Sequence, residues 1–257
     1  MRYRINREDF FAREEEQGTM AIMVCKTNQI LHFNRAGRHI FDVCDRWVEL
    51  DEFLHDLGAV NTTPAKLRRY FEEILYKLHA CGLARLEDIP QPAGTGCRLA
   101  QQGDYMHISR FLTAYAQKGQ SCATIVGEGY NGPYGVYTRL YERQTHYLLS
   151  EQDGELIALL EISQPNHISG NTVLSISTAV FHEKLDAQDA CEQLRLLTDH
   201  AAKLFGGYAS KLRYPYMHPR QQWMRDSLAK CGFVQTAFFP GELQNGCDMI
   251  WYDRMIQ

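Results

Sequence analysis

The sequence predicts an α+β protein of two domains, and three observations indicate it. The chain has 257 residues and is 45% hydrophobic, which is enough apolar material for the cores of two ordinary domains. Helical and strand patterns of apolar residues alternate along both halves. The window 87–96, EDIPQPAGTG, holds two prolines and two glycines and is the clearest boundary. We therefore predict domains at 1–88 and 97–257, joined by a linker at 89–96.

The charge and the hydropathy pattern argue against several classes of protein. The formal net charge is −4, and residues 1–88 carry 13 Lys and Arg against 15 Asp and Glu, whereas a nucleic-acid binder needs clustered cations for phosphate contacts. No apolar run approaches the roughly 20 residues of a membrane span, and the N-terminal residues are too charged for a signal peptide. We expect a cytoplasmic protein without nucleic-acid or membrane partners.

The eight cysteines are scattered along the chain. They lack the CxxC pairs and the Cys and His spacing that build a zinc site. Free cysteines commonly pack as small apolar side chains, so we predict reduced, mostly buried thiols and no bound metal.

The N-terminal domain begins with a predicted hairpin. Apolar and β-branched residues flank a polar turn at 26–28, which predicts strands at 20–25 and 29–33. Asn34 comes next and can cap the exposed amides of a first helix, RAGRHIFDVCD.

Two more helices are predicted after this first one. The second covers about 50–57. Thr63 and Pro64 open the third, whose apolar residues recur along one stripe, and Gly82 ends it. The predicted order is therefore two strands followed by three helices.

The segment Met20 to Gly82 contains MAIMVCKTNQILHFNRAGRHIFDVCDRWVELDEFL and a long amphipathic helix. It resembles the PqqD-like peptide-recognition domain of ribosomal-peptide maturation systems, including the apolar-Asn step at Phe33 and Asn34. Arg46 departs from the family, in which Gly often follows the Asp that ends the first helix, so this turn must be made differently. The resemblance implies a winged-helix fold that binds the leader segment of a precursor peptide.

In that family the leader peptide adds as an extra strand to the open edge of the sheet, beside the third helix. Edge amides and carbonyls supply hydrogen bonds, and side-chain pockets supply selectivity. By position, the resemblance implies a peptide site with Ile30, His32 and Asn34 on the edge and Tyr70, Phe71 and Ile74 on the helix. The alternative for Phe71 and Ile74 is that both belong to the core, because they lie on the apolar stripe.

The C-terminal domain begins with a strand at 97–100 and a helix at 103–117. A Gly- and Tyr-rich region at 127–141 follows, and its composition is too irregular for a long helix. Asp153 and Gly154 separate two apolar runs and predict a hairpin. The remaining elements are predicted as strand, helix, strand, helix and two closing strands.

This succession resembles the GNAT N-acyltransferase fold over nearly all of 97–257. The segment LAKCGFV resembles that family's late helix, which ends in a turn of Lys, an apolar residue, Gly and Phe. Gly232 suits the position after the helix, where left-handed backbone is common. The resemblance implies a mixed sheet flanked by helices, and a donor that is acetyl-CoA or a longer acyl-CoA.

GNAT enzymes bind acyl-CoA where a splayed strand exposes backbone groups to the pantetheine. The next helix directs its N-terminal amides at the pyrophosphate, which the helix dipole attracts. The resemblance implies donor contacts at Val180, Phe181, His182, Leu185, Gln188, Asp189, Ala190, Cys191 and Gln221. Leu185 and Gln188 replace an Arg or Gln and a Gly of the family loop. Leu228 stands where the family has a tyrosine that protonates the leaving thiolate.

Acyl transfer to an amine needs a proton acceptor, because the nucleophile loses a proton as the amide forms. Glu161, on a central strand among apolar residues, is the first candidate base, since burial favours the protonated carboxyl. The alternative is a solvent-facing Glu161. His182 and Glu183 at the end of the next strand are further candidates, and Tyr216 or Tyr214 can replace the absent tyrosine.

These features predict a peptide N-acyltransferase of a ribosomal-peptide pathway. The N-terminal domain holds the leader, and the C-terminal domain acylates an amine of the core peptide beside the acceptor wall expected at 127–141. Tethering raises the effective concentration of the core peptide. The expected partners are the precursor peptide and other maturation enzymes of the same pathway. The alternative is a non-catalytic peptide-binding scaffold with a degenerate GNAT domain, which the missing glycines and tyrosine favour.

Overall fold

The computed structural model divides the chain into two compact units, Met1–Gln91 and Pro92–Gln257, called units 1 and 2 below. The structure describes residues 1–25, 29–57, 63–88, 96–123, 127–142, 145–163, 173–207, 209–217, 222–243 and 246–256. Most of the predicted linker, 89–95, lies outside these residues. Across the described part of the chain, no helix is long and apolar enough to cross a membrane.

Unit 1 contains two antiparallel sheets among its described residues. Its strands are β1 (Arg2–Ile5), β2 (Phe10–Glu14), β3 (Met20–Val24), β4 (Ile30–Phe33), β5 (Val48–Glu49) and β6 (Ala84–Glu87). One sheet has the order β2-β3-β4, and the other has the order β5-β1-β6. The two strands of the predicted hairpin are confirmed as β3 and β4, and its predicted turn at 26–28 lies outside the described residues. No strand was predicted at β1 or β2, where charged residues interrupt the apolar positions.

Among its described residues, unit 1 has the α-helices α1 (Leu50–Asp56) and α2 (Pro64–Ala80). Both were predicted, and Pro64 occupies the first turn of α2, where its missing N–H costs no hydrogen bond. The predicted first α-helix is wrong, because Gly37–Phe41 forms a short 3₁₀ helix instead. A Cβ atom at Gly37 would lie 2.9 Å from the hydroxyl of Tyr70, so this segment approaches α2 closely.

The turn after this 3₁₀ helix is made by an aspartate rather than by a glycine. Asp45 has a φ of 66°, a left-handed conformation that Asp tolerates better than most residues. Its amide donates to the carbonyl of Ile5 (2.7 Å), and its carboxylate accepts from the amide of Arg7 (2.9 Å). The arginine at position 46 is therefore compatible with the turn, because Asp45 supplies the unusual backbone angle.

Aromatic side chains fill the core of unit 1. Two sets of edge-to-face contacts join Phe10, Phe41 and Phe33, and Tyr3, Phe53 and Phe71. Such pairs add about 0.5–1.5 kcal/mol to the burial of their area. The second set links β1 to both helices, and this tertiary packing explains why the charged N-terminal segment forms a strand.

Unit 2 is an α+β fold around one large mixed sheet. Its strands are β7 (Gly96–Leu99), β8 (Cys122–Ala123), β9 (Thr145–Gln152), β10 (Glu155–Ser163), β11 (Val173–Phe181), β12 (Lys211–Met217), β13 (Val234–Phe239) and β14 (Met249–Met255). Its helices are α3 (Tyr105–Tyr115), α4 (Glu128–Asn131), α5 (Pro133–Tyr141), α6 (Ala187–Phe205) and α7 (Gln222–Lys230).

The strand order of this sheet is β13-β14-β12-β11-β10-β9-β7, with β8 paired to β11. The pair β11 and β12 is parallel, and the crossover between them is α6. The apolar face of α6 covers the sheet, since Leu194, Leu197 and Ala201 are fully buried. The hairpin between β9 and β10 is confirmed, with Asp153 at φ 53° and Gly154 at φ 80° in its turn.

The Gly- and Tyr-rich region was predicted to be irregular and instead forms two consecutive short helices, α4 and α5. Its glycines allow close packing between these helices. A Cβ atom at Gly135 would overlap the carbonyl oxygen of Gly129, and one at Gly132 would overlap that of Glu128. The glycines therefore allow the two helices to approach each other closely. A sequence pattern does not distinguish glycines in this role from glycines in a loop.

Candidate active site

The strands β11 and β12 separate after a short parallel contact. They pair only over Val173–Ser175 and Lys211–Arg213. The opposite edge of β11 is held by β10 as far as Phe181, which faces Ala158. The gap beyond Ser175 is therefore the splayed region where the resemblance places the donor contacts of Val180 and Phe181.

The splayed edge of β11 is already occupied by residues of this chain. The strand β8 pairs antiparallel with β11, so that Cys122 faces Ala179 and Ala123 faces Thr178. Because β10 holds the other edge, β8 must lie on the β12 side, in the gap. A hydrogen bond between Tyr214 of β12 and Cys122 agrees with this position, and burial raises the pKa of Tyr214.

The backbone amides at the N-terminus of α6 also have hydrogen-bond partners within this chain. The Asp186 carboxylate accepts hydrogen bonds from the amides of Gln188 (2.8 Å) and Asp189 (2.9 Å). These amides are the groups expected to hold a pyrophosphate, and a carboxylate cap takes their place. Ala190 is fully buried, and Leu185 packs against the core of the sheet. The last predicted donor contact, Gln221, lies outside the described residues.

A cavity of about 550 Å³ lies between α6 and α7. Gln188 and Cys191, two of the predicted donor contacts, line it together with Arg195, Trp223 and Lys230. The lining carries two basic side chains, two carboxylates and one aromatic ring, so it has no excess of positive charge. The cavity has room for part of a ligand beside the capped start of α6.

Glu161 of β10 is buried, with 1% of its surface exposed, and is not solvent-facing. Its Oε1 atom accepts hydrogen bonds from the hydroxyls of Tyr130 (2.6 Å) and Tyr147 (3.3 Å). The Nε atom of Arg139 lies 3.3 Å from the same oxygen. Glu161 is therefore not a lone carboxylate among apolar residues, as the sequence predicted, but the centre of a polar cluster.

Glu161 and these three partners come from four elements and are tightly connected. Arg139 of α5 donates to the hydroxyl of Tyr147 on β9 (2.8 Å) and to the carbonyl of Tyr130 on α4 (2.8 Å), and its guanidinium lies 3.6 Å from the Tyr130 ring centroid. Burial first, and then the charge of Glu161, raise the pKa of both tyrosines, so their hydroxyls remain donors. We call Glu161, Tyr130, Tyr147, Arg139 and Thr178 the Glu161 centre.

Three atoms of the Glu161 centre are buried without a hydrogen-bond partner among the described residues. They are Oε2 of Glu161, Nη2 of Arg139 and Oγ1 of Thr178. Thr178 faces Glu161 across the β10–β11 register. Buried polar atoms are normally satisfied, and an unsatisfied one costs about 1–3 kcal/mol. The Glu161 centre therefore retains hydrogen-bonding capacity for an additional group.

Sequence reasoning identified Glu161 but missed Tyr130, Tyr147 and Arg139. Tyr130 and Arg139 fall in the region expected to form the acceptor wall, which was the only available signal. Tyr147 pairs with Glu161 in the β9–β10 register. The predicted hairpin could have placed these two side chains side by side.

The other predicted catalytic residues make separate contacts. His182 accepts at Nδ1 from the amide of Lys184 (3.1 Å), so its neutral ring carries the proton at Nε2, 3.0 Å from the Tyr115 hydroxyl. Glu183 is exposed and lies 3.7 Å from Lys118. Tyr216 is 1% exposed and packs edge-to-face on Tyr252.

In unit 1, the predicted peptide site lies on an edge strand. β4 is the last strand of its sheet, and the side chains of Ile30 (61%) and His32 (67%) are exposed. The Asn34 side-chain oxygen accepts from the Gly37 amide (2.8 Å) and from the Tyr70 hydroxyl (2.7 Å), which fastens the end of β4 to α2.

The remaining helix residues predicted to contact the peptide belong to the core. Phe71 is completely buried and packs on Phe53 and Tyr70. Ile74 is 8% exposed. Phe71 and Ile74 are therefore core residues, as the alternative prediction stated. Of the three helix residues, Tyr70 is the accessible one.

The eight cysteines are free thiols. Burial raises the pKa of Cys81 to about 11 and that of Cys231 to about 12. Within the described ranges, no group of three or more His, Cys, Asp or Glu residues has the arrangement of a metal site.

Comparisons with known proteins identify the fold of part of the chain. No protein-family model and no curated protein matches it. Among solved structures, the ribosomal-protein-alanine N-acetyltransferase from Brucella melitensis matches with 13% identity and a TM-score of 0.50, over 62% of this chain and 98% of that chain. An acetyltransferase of the GNAT family from Streptococcus pneumoniae matches with 12% identity and a TM-score of 0.50, over 63% and 98%. About 63% of the chain therefore has the GNAT acetyltransferase fold.

Proposed function

We propose that this chain is a peptide N-acyltransferase of a ribosomal-peptide maturation pathway. In this proposal, unit 2 transfers an acyl group from acetyl-CoA or a longer acyl-CoA to an amine, and unit 1 binds the leader of the precursor peptide. The observation that carries the proposal is the Glu161 centre, a buried polar cluster with unused hydrogen-bonding atoms beside the splayed strand of a GNAT fold.

The Glu161 centre offers the groups that amide formation requires. A neutral amine attacks the thioester carbonyl of the donor, the C–S bond breaks, and the amine nitrogen loses a proton. In this proposal the Oε2 atom of Glu161, which is buried and has no hydrogen-bond partner among the described residues, accepts the N–H of the amine. Arg139 and the two tyrosine hydroxyls hold the other carboxylate oxygen and so fix its orientation. In this proposal the Glu161 centre holds the amine and accepts its proton.

The edge of β4 supports the peptide-binding half of the proposal. An extended peptide can pair with the open edge, with Ile30 and His32 exposed on one face and Tyr70 beside the end of the strand. Binding of the leader would hold the core peptide at an effective concentration in the millimolar range when the link is flexible. Weak contacts between the core peptide and unit 2 would then suffice.

A second candidate function is a peptide-binding scaffold whose GNAT fold does not bind a donor. Two observations favour it: the β8 strand in the splayed gap and the Asp186 carboxylate on the amides of α6. Both occupy groups that an acyl-CoA would use. The scaffold differs from the enzyme in predicting no acyl transfer under any condition.

The experiment is an acyl-transfer assay on the full chain. Release of CoA from acetyl-CoA and octanoyl-CoA is followed with a panel of Lys-containing and free-N-terminus peptides, and mass spectrometry locates the acyl group. Glu161→Gln should reduce the rate by about 100-fold or more, the usual contribution of a positioned proton acceptor. The matched control is Glu151→Gln, another buried strand glutamate that pairs with an arginine, Arg98.

The control variant should keep the wild-type transfer rate per folded molecule, because Glu151 belongs to the Arg98 cluster and its change affects stability rather than transfer. Absence of transfer with every donor and acceptor, in a folded protein, would favour the scaffold. Equal losses in Glu161→Gln and Glu151→Gln would remove the special role of the Glu161 centre.

A further inference from the structure

Residues 115–123, from the end of α3 to β8, contact the end of β11 and the loop that follows it in unit 2. We infer that residues 115–123, here called the strap, are an internal occupant of the acyl-donor site that must leave before a donor binds. The inference rests on the proposed function, since it concerns the donor site of that reaction. It adds an autoinhibitory contact made by this chain's own residues.

The contacts of the strap run continuously along the end of β11. Hydrogen bonds and ion pairs join its residues in order to the strand and to the loop that follows. The pairs are Tyr115 with His182, Lys118 with Glu183, Ser121 with Phe181, Cys122 with Ala179 and Ala123 with Thr178. Two of the five contacted residues, Phe181 and His182, were predicted donor contacts, and the other three flank them.

Ser121 makes the most specific of these contacts. Its hydroxyl donates to the carbonyl of Phe181 (3.2 Å) and accepts from the amide of the same residue (3.0 Å). Both backbone groups are buried and face the gap, so the serine satisfies the two polar groups that an extended donor would use. Ser121 itself is 4% exposed. A serine side chain here imitates the hydrogen bonding of a paired strand.

The amides at the start of α6, which were the second group expected to contact the donor, are hydrogen-bonded by a residue outside the strap. Asp186 caps α6 through the amides of Gln188 and Asp189. Strap and cap belong to different elements, yet each occupies one half of the expected donor contact. In the inferred resting state, the strap and the Asp186 cap together occupy groups that a donor would contact.

The strap is held weakly enough to be displaced. Only two of its residues pair with β11, whereas β10 pairs along most of that strand. Lys118 and Glu183 are each 56% exposed, and exposed ion pairs contribute little. Individual hydrogen bonds contribute modestly to stability. A donor with favourable contacts of its own can therefore replace the strap.

Displacement of the strap would change the apparent affinity of the protein for the donor. When only a fraction of molecules has the strap open, the apparent Kd for the donor rises in inverse proportion to that fraction. Weakening the strap should therefore tighten donor binding. An ordinary structural loop would show no such effect.

The test compares acetyl-CoA binding by calorimetry in the full-length wild type and in the double variant Tyr115→Phe/Ser121→Ala. The variant loses the bond to His182 and both bonds to Phe181, and we expect about 10-fold tighter binding. The matched control is Tyr141→Phe/Ser150→Ala. It removes the same two kinds of hydroxyl away from the strap and should leave the affinity unchanged.

Hydrogen exchange provides the second readout. Acetyl-CoA should increase the exchange of the amides at 121–123 in the wild type, because the strap leaves as the donor binds. Equal acetyl-CoA affinities of wild type and double variant, with no change in strap exchange, would overturn the strap inference and leave the proposed function intact. Failure of every variant to bind acetyl-CoA, with the strap open by exchange, would overturn both.

Discussion

Two clusters in unit 2 pair an arginine with a buried glutamate of the large sheet, and their comparison shows which polar atoms are satisfied and which are not. Arg98 makes hydrogen bonds to both Asp104 and Glu151, and every polar atom of that group has a partner. In the Glu161 centre, Glu161 and Arg139 each keep one buried atom without a partner. A fully satisfied cluster contributes to the fold. An incompletely satisfied one, which costs stability, is the better candidate for a site that binds something.

The largest expected effect is on the satisfied cluster. Arg98→Met leaves Asp104 (2% exposed) and Glu151 (5% exposed) buried without their cation. Breaking a buried pair in this way typically costs about 3–5 kcal/mol of unfolding free energy. Urea unfolding followed by tryptophan fluorescence measures it, with Arg195→Met, an exposed helix pair, as the near-neutral control. A loss below about 1 kcal/mol would mean that the cluster is not structural.

Asp253 is a second carboxylate with hydrogen-bond partners, and we expect the protein to lose stability when it is protonated in acid. Burial opposes the ionisation of Asp253, but hydrogen bonds from Arg213 and Lys211 outweigh it and lower its pKa to about 2. A carboxyl whose pKa is lower in the folded state stabilises the fold at pH values above its unfolded pKa, near 3.8. This stabilisation is lost as the pH falls through 2. The contribution is about 2 kcal/mol.

Stability measured from pH 6 to pH 2 tests this assignment. Asp253→Asn should be less stable than the wild type at pH 6, and the two curves should converge near pH 2. Parallel curves across the whole range would contradict the role given to Asp253. Activity at neutral pH should follow only the amount of folded protein, because this carboxylate has no place in the proposed reaction.

Substitutions in the Glu161 centre should lower the activity rather than the stability. Tyr130→Phe removes the 2.6 Å hydrogen bond to Glu161, and the phenyl ring can still pack against Arg139. Loss of one charge-assisted hydrogen bond should lower acyl transfer by about 10-fold. The rate with a fixed acetyl-CoA and peptide pair measures it. An unchanged rate with a lower unfolding free energy would place Tyr130 with the structural residues.

The smallest expected effect is on the peptide edge in unit 1. Tyr70→Phe removes the hydroxyl that donates to Asn34 and should cost about 1 kcal/mol in the unfolding free energy of unit 1. Phe71→Ala is the contrasting variant, since it empties a fully buried site and should cost about 3–5 kcal/mol. Equal losses would mean that Tyr70 is as much a core residue as Phe71.

Much of unit 2 was predictable because its signals are local. The Asp-Gly turn, the spacing of apolar residues in α6 and the glycine after α7 each specify an element from a few neighbouring residues. The carboxylate cap at Asp186 also had a local signal, an Asp immediately before a helical pattern. Its consequence for an anion site emerges only from the hydrogen bonds of the structure.

The features that were missed depend on distant contacts. β8 has two residues and pairs with a strand more than fifty residues away, so no sequence pattern announces it. The helical state of the Gly-rich region depends on packing between α4 and α5. The partners of Glu161 come from three other elements. Sequence reasoning found the central carboxylate because its apolar strand is a local feature, and it could not find the polar groups brought to it by folding.

Calorimetric titration of the full-length wild type with acetyl-CoA and with a long-chain acyl-CoA tests the central claim most directly. The proposed function predicts saturable binding of at least one donor, weakened by Gln188→Glu, which adds a third carboxylate to Asp186 and Asp189 at the start of α6. Binding of neither donor, in the wild type and in the variant with a weakened strap, would contradict the acyltransferase and favour the peptide-binding scaffold.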